Sequence, residues 1–130
     1  MSQVFRVSPL LAATSASPIE VVEHKGMGHP DTICDALVER FSVDLSRRYL
    51  DQFGQIWHHN VDKALLRAGV SSPRFGGGSI DEPIEIYVAG RATTAVDGVP
   101  VPVEDVLLQG ARAWLREHLH ALDVDRHVRI

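Results

Sequence analysis

A single cysteine, Cys34, stands in the 130 residues of this chain. That excludes an internal disulfide framework and a cysteine-based zinc cluster. No apolar run approaches the length of about 20 residues that a membrane-spanning helix needs, so no membrane partner is expected. An excess of positive charge is also missing. Lys and Arg number 13 against 17 Asp and Glu, for a formal net charge of −4. Without a basic footprint, nucleic acid is not expected as a partner. The one run of three glycines, Gly76-Gly77-Gly78, is followed by no Gly-Lys-Ser/Thr and no clear helix, so it is not a Walker loop.

What is present suits one domain, or part of a larger one, with 45% hydrophobic and 23% charged residues. Residues 1–17 are rich in Ala, Ser and small apolar side chains, with Arg6 their only charge. Leu10-Leu11-Ala12-Ala13 is too brief, and its charged start too poor, for an export signal. The segment reads as a mobile leader, and residues 18–130 as the structured unit.

The chain is organised around Glu23-His24-Lys25-Gly26-Met27-Gly28-His29-Pro30-Asp31-Thr32-Ile33-Cys34-Asp35. A short strand over residues 19–23 is expected to deliver the chain to a glycine loop, where Gly26 and Gly28 permit unusual backbone angles and close ligand approach. Pro30 is suited to the first position of a helix, and it pushes His29 out of the helical region into the cap position. The helix mouth then presents unpaired N–H groups and partial positive charge, a natural place for an anion such as phosphate. His29 can donate to a phosphate oxygen, and Asp31 can hold the Mg²⁺ that accompanies polyphosphates. A capped helix with a stabilising acidic first turn is the plain alternative. Asp35, one turn on, shares the face of Asp31 and either joins it in holding a cation or only complements the helix dipole.

Ile33, Leu37, Phe41 and Leu45 recur every fourth residue, with Cys34, Val38 and Tyr49 beside them, which predicts a core-facing helix over residues 30–50. Cys34 on that stripe reads as a small buried residue rather than a reactive thiolate. Strands are expected at residues 55–60 and 64–70. Adjacent His58 and His59 point to opposite faces of a strand, so they cannot readily chelate one ion and at most one faces a site. Asp62 and Lys63 are either a surface ion pair or a site pair, in which Asp62 orients and Lys63 meets a phosphate. Residues 71–79 read as a flexible hairpin connection. Ile84, Ile86 and Val88 alternate with Glu85, Tyr87 and Ala89 as a half-buried strand, and Asp97-Gly98 is a strong hairpin signal. A second helix begins near Glu104, its stripe formed by Leu107, Ala111, Trp114, Leu115 and His118. Residues 127–130 read as the start of a further strand, which suggests a unit incomplete at its C-terminus.

Four blocks then carry a resemblance. Val22-Glu23-His24-Lys25-Gly26-Met27-Gly28-His29-Pro30-Asp31 is similar to a signature of the S-adenosylmethionine synthetase family, in its archaeal-type branch. Ile56-Trp57-His58-His59-Asn60-Val61-Asp62-Lys63, Pro73-Arg74-Phe75-Gly76-Gly77-Gly78, and Glu82-Pro83-Ile84-Glu85-Ile86 with Gly90-Arg91-Ala92 follow in the same order. Val61-Asp62-Lys63 departs from the Thr-Asp-Gln expected there, which weakens the assignment of Lys63. The resemblance covers residues 19–130 of a family whose chains are several times longer.

It implies an α/β (α+β) unit, the first of three similar ones, with an antiparallel or mixed sheet and two amphipathic helices on one face. It implies a cytoplasmic methionine adenosyltransferase acting on ATP and L-methionine with Mg²⁺, K⁺ being a further candidate ion, as a homodimer with its active site between subunits. Matched to the motif, His29 and Lys63 become catalytic candidates. Lys25, Gly28, His29 and Asp62 become ATP- or phosphate-binding candidates, and Asp31 the metal ligand. Glu23, Asp35, His59 and Gly76-Gly77-Gly78 stand behind them, the glycines as part of a mobile segment near the substrates. Two rival classes are an ATP- or polyphosphate-binding module without the chemistry, and a partner subunit of a full-length synthetase.

Overall fold

The computed structural model describes residues 18–19 and 21–130; the segment read as a leader lies outside the described residues. The first helix, α1 (Pro30–Phe53), buries Ile33, Cys34, Leu37, Phe41, Leu45 and Tyr49. Removing Leu37 and Leu45 from water stabilises the fold by roughly 1.5–3 kcal/mol each. Nothing in the sequence stops this helix at Leu50, so it runs on to Gly54. There a left-handed φ of 72° caps it, and the Gly54 N–H donates to the Leu50 carbonyl at 2.9 Å.

The two strands expected at residues 55–60 and 64–70 are one strand, β1 (His59–Arg67). A bulge between Val61 and Lys63 carries it through the charged pair without a break. An extra residue reverses the inward–outward phase. His59 and Val61 therefore face the helices before the bulge, and Ala64 and Leu66 after it. Asp62 and Lys63 are both left exposed.

Residues 71–79 are not a loop. They belong to β2 (Val70–Arg74) and β3 (Gly77–Glu82), an antiparallel hairpin turning at Phe75 and Gly76. Both strands are exposed along their whole length, so no apolar alternation marks them in the sequence. Strand β4 (Ile84–Ala92) pairs antiparallel with β1, and a small hairpin of β5 (Ala95–Val96) and β6 (Val99–Pro100) follows. Its turn residues Asp97 and Gly98 have φ of 48° and 81°, the sign that a tight two-residue hairpin turn requires.

Helix α2 (Val103–His118) buries Gly110, Ala111, Trp114 and Leu115. A Cβ on Gly110 would sit 2.7 Å from Asp44 Oδ2, so glycine there lets α2 approach α1 closely. His118 is held within α2: its Nδ1 lies 2.9 Å from the Trp114 carbonyl and its ring stacks on Trp114 at 4.4 Å. A short α3 (Val124–His127) leads into β7 (Val128–Arg129), which lies parallel to β4.

The main sheet is therefore mixed, in the order β1-β4-β7. One core cluster joins Ile33 and Leu37 of α1 to Ile86, Ala111, Trp114, Leu115, Val124 and Val128. A second joins Phe41, Leu45 and Tyr49 to Val101. Both helices thus cover the same face of the sheet, in the α+β arrangement expected. Among the described residues, no helix is long and apolar enough to cross a membrane.

Of the strand expected at residues 19–23, the described residues 21–23 form no strand, and Val21 and Val22 are exposed. Apolar β-branched residues favour extended backbone, yet a strand also needs a ladder partner.

Candidate nucleotide site at the mouth of the first helix

His29 occupies the N-cap of α1 with extended backbone, and Pro30 follows at the first helical position. A turn closed by the His29 N–H on the Gly26 carbonyl, at 3.0 Å, delivers it there. The backbone N–H of Asp31 donates to His29 Nδ1 at 3.1 Å. A backbone nitrogen can only donate, so Nδ1 must accept, and in the neutral ring this places the proton on Nε2. The cap bond therefore leaves an N–H on the other side of the ring, free of that bond and available to an anion.

Lys25 and Asp31 form an ion pair across the mouth. The Lys25 ammonium, through its hydrogen bond first and its charge second, holds the Asp31 carboxyl below its ordinary range, and His29 adds a smaller pull in the same direction. Both side chains are well exposed. The pair contributes little to stability, and its charges remain open to exchange for other partners.

Lys25, Asp31, Asp35 and Thr32 line a concavity of about 340 Å³ between the first turns of α1 and residues 64–66 of β1. Cys34 lies at its edge but is buried. Burial, then the Asp35 and Asp31 carboxylates, push its thiol upward in pKa, so it stays a protonated packing residue. No group of three or more His, Cys, Asp or Glu is placed to hold a metal among the described residues. Two carboxylates on one wall nevertheless fit Mg²⁺, which commonly keeps several waters and takes one or two carboxylates together with substrate phosphates.

The unusual backbone angles expected at Gly26 and Gly28 are not used. Neither has positive φ, and a Cβ on either would meet nothing within 4 Å. What remains of the expectation is open space in front of the loop. Glu23 is exposed ahead of α1 and does not line the concavity.

The other candidates lie elsewhere. Asp62 and Lys63 sit on the bulge as an exposed pair, 3.5 Å apart. Asp62 lines a second concavity, of about 450 Å³, on the sheet face away from the helices, with His58, Asn60 and Arg91. Lys63 lines neither. His59 turns inward: its Nε2 lies 3.1 Å from Ser42 Oγ, and its Nδ1 3.0 Å from the Trp57 carbonyl. It therefore ties β1 to α1 rather than facing either concavity, and of the two histidines His58 is the one beside a polar surface. Gly76, Gly77 and Gly78 lie at the β2–β3 turn. Gly77 and Gly78 line a shallow cleft with Leu122, Arg126 and His127, so the hairpin is not brought to the helix mouth.

Arg91 and Asn60 were not singled out from the sequence, although they are directly paired across β1 and β4. Arg91 makes no ion pair among the described residues. The signal was available in principle, because His58, Asn60 and Asp62 alternate along one strand face.

The chain matches the S-adenosylmethionine synthetase (AdoMet synthetase) family over residues 6–130, beginning inside the segment read as a leader. A probable S-adenosylmethionine synthase of Aquifex aeolicus is 54% identical over 109 residues, covering 84% of this chain and 27% of that protein. The S-adenosylmethionine synthase of Pyrobaculum neutrophilum is 51% identical over 113 residues, covering 84% and 28%. That of Haloarcula marismortui is 47% identical over 116 residues, covering 89% and 29%. The chain thus spans less than a third of the length of these curated relatives.

Proposed function

Because the chain belongs to the S-adenosylmethionine synthetase family, we propose that it supplies the N-terminal unit of an enzyme joining L-methionine to ATP. The methionine sulfur uses a lone pair to bond C5′ of the nucleotide. The C5′–O bond breaks, and triphosphate leaves with the electron pair. Water then splits the triphosphate into phosphate and pyrophosphate. A thioether needs no deprotonation to attack, so the barrier lies in the departing charge, which must be met by donors already in place.

The mouth of α1 is suited to meet it. His29 donates from Nε2 to the departing oxygen or the adjacent phosphate while Nδ1 holds the cap. Pro30 has no N–H, and the Asp31 and Ile33 N–H groups already donate to His29. The Thr32 N–H and the helix dipole add partial positive charge along the same direction. Lys25 leaves Asp31 and turns to the phosphates. Asp31, with Asp35 one turn on, takes Mg²⁺, which neutralises phosphate charge when bound. Lys63 is not assigned to this step, since it sits beside Asp62 on the bulge of β1 and not at the start of α1. His58, Asn60 and Arg91 lie on the open sheet face and belong to a separate part of the surface. The remaining nucleotide and metal ligands come from the longer protein, a homodimer whose active sites lie between subunits.

The observation that supports this reading most directly is the pairing of Lys25 with Asp31 over a capped helix mouth. There a lysine already stands where a cation is proposed. The test is the Mg²⁺ dependence of S-adenosylmethionine formation by the longer protein carrying Asp31→Asn. The Mg²⁺ concentration for half-maximal rate should rise at least about tenfold, the cost of a lost charge-assisted ligand. An unchanged Mg²⁺ dependence would remove Asp31 from the metal site.

A further inference from the structure

The hairpin of β2 and β3 continues the ladder of β1 and β4 past a break at Ala68, Gly69 and Pro83. Its base is held in place. A Cβ on Gly69 would sit 2.1 Å from the Glu82 carbonyl oxygen. Arg67 pairs with Glu82 and Glu85 on either side of Pro83, at 3.3 and 3.0 Å. The cross-strand pairs Ser71–Ile80 and Pro73–Gly78 line one wall of a cleft of about 580 Å³, whose other wall holds Leu122, Arg126 and His127. No carboxylate lines this cleft, unlike the concavities that hold Asp31 and Asp35 or Asp62.

The carboxylates that neighbour these residues in sequence are engaged elsewhere. Asp81 accepts the Ser72 and Ser79 hydroxyls. Asp123 accepts the backbone N–H groups of Asp125 and Arg126. Asp125 is held by Arg112 and Arg116, at 3.1 and 2.7 Å. Arg126 and His127 are thus left without an acidic partner among the described residues, beside the apolar side chains of Pro73, Ile80 and Leu122. A guanidinium takes a carboxylate or phosphate through two parallel N–H bonds. An imidazole N–H and the Ser71 hydroxyl can supply further donors. We propose that this cleft binds a small organic anion, its carboxylate or phosphate head on Arg126 and His127 and a short apolar body between Ile80 and Leu122. With no carboxylate on either wall to receive one, the ligand carries no ammonium group. The cleft shares no lining residue with the helix mouth, and its occupancy is independent of the chemistry there.

The test is ligand-observed NMR on the longer protein with phenyl phosphate, benzoate, inorganic phosphate and benzylamine as probes. At least one of the two organic anions should bind, more tightly than inorganic phosphate, and the tighter of them assigns the head group. Benzylamine, with the opposite charge, should not compete with it. Arg126→Met should weaken binding at least about tenfold, the loss of a charge-assisted pair. Ile80→Glu places a like charge on the opposite wall and should weaken it as well. Arg48→Met removes an exposed cation of α1 and should leave binding unchanged. So should His29→Ala, which separates this cleft from the helix mouth. Failure of both organic anions to bind, equal affinity for inorganic phosphate, or binding indifferent to Arg126→Met would overturn the proposal. Binding lost in His29→Ala but kept in Arg126→Met would place the anion at the helix mouth and overturn it too.

Discussion

His29 Nδ1 accepts the backbone N–H of Asp31 at 3.1 Å, so one imidazole both caps α1 and aims its remaining N–H away from the helix. The two duties can be separated. His29→Ala loses both, and removing a side-chain cap costs about 0.5–2 kcal/mol of stability. His29→Ser restores a capping oxygen but cannot reach a phosphate from the same place. Thermal unfolding should therefore show His29→Ala destabilised and His29→Ser close to the parent, with neither recovering turnover in the longer protein. Equal destabilisation by both would mean that the ring is held by something other than the cap.

The Lys25–Asp31 pair makes a prediction about acid. The pair holds the Asp31 carboxyl below its ordinary value of 3.8. Its contribution is complete above that value and is lost as pH falls through the lowered one. NMR titration of the Asp31 carboxyl should give a midpoint below 3.8, moving back toward it in Lys25→Met. A midpoint that does not respond to Lys25→Met would show that the pair is not formed in solution.

His59 tests the distinction between a packed histidine and a ligand. Its bond to Ser42 ties β1 to α1, and its bond to the nearby Trp57 carbonyl fixes the ring. His59→Ala should cost about 1–2 kcal/mol in denaturant unfolding, from lost hydrogen bonds. ATP affinity of the longer protein should be unchanged; a weakened affinity at full folding would return His59 to the site.

Much of this was legible in the sequence. The stripe from Ile33 to Leu45 fixes the buried face of α1, and Pro30 fixes its start, because both follow from local spacing and sterics. The Asp97-Gly98 turn is equally local. The merged β1 was hidden because a bulge at charged residues imitates the end of a strand. The exposed β2–β3 hairpin was hidden for a different reason: with no face to bury, its strands carry no period of two. At the site, His29 and Asp31 were readable from their place at the helix start. The inward turn of His59 depends on Ser42, 17 residues away, and no local pattern encodes that contact. Asn60 and Arg91 meet only because β1 and β4 pair in this register.

Cys34 gives a chemical check on the α1 packing. Burial and two nearby carboxylates keep it a thiol, and the thiolate is the reactive form. Alkylation at neutral pH should be slow in the native protein and become fast on unfolding. Rapid native labelling would place Cys34 in an open site instead of under the helix.

The measurement that reaches furthest into the account is S-adenosylmethionine formation by the longer protein carrying His29→Ala, taken with its ATP dissociation constant. Loss of a donor at the departing oxygen should lower turnover by about 10²–10³-fold, while ATP affinity changes far less. Unchanged turnover would contradict the assignment of His29 to the leaving group, and with it the catalytic role of the α1 mouth.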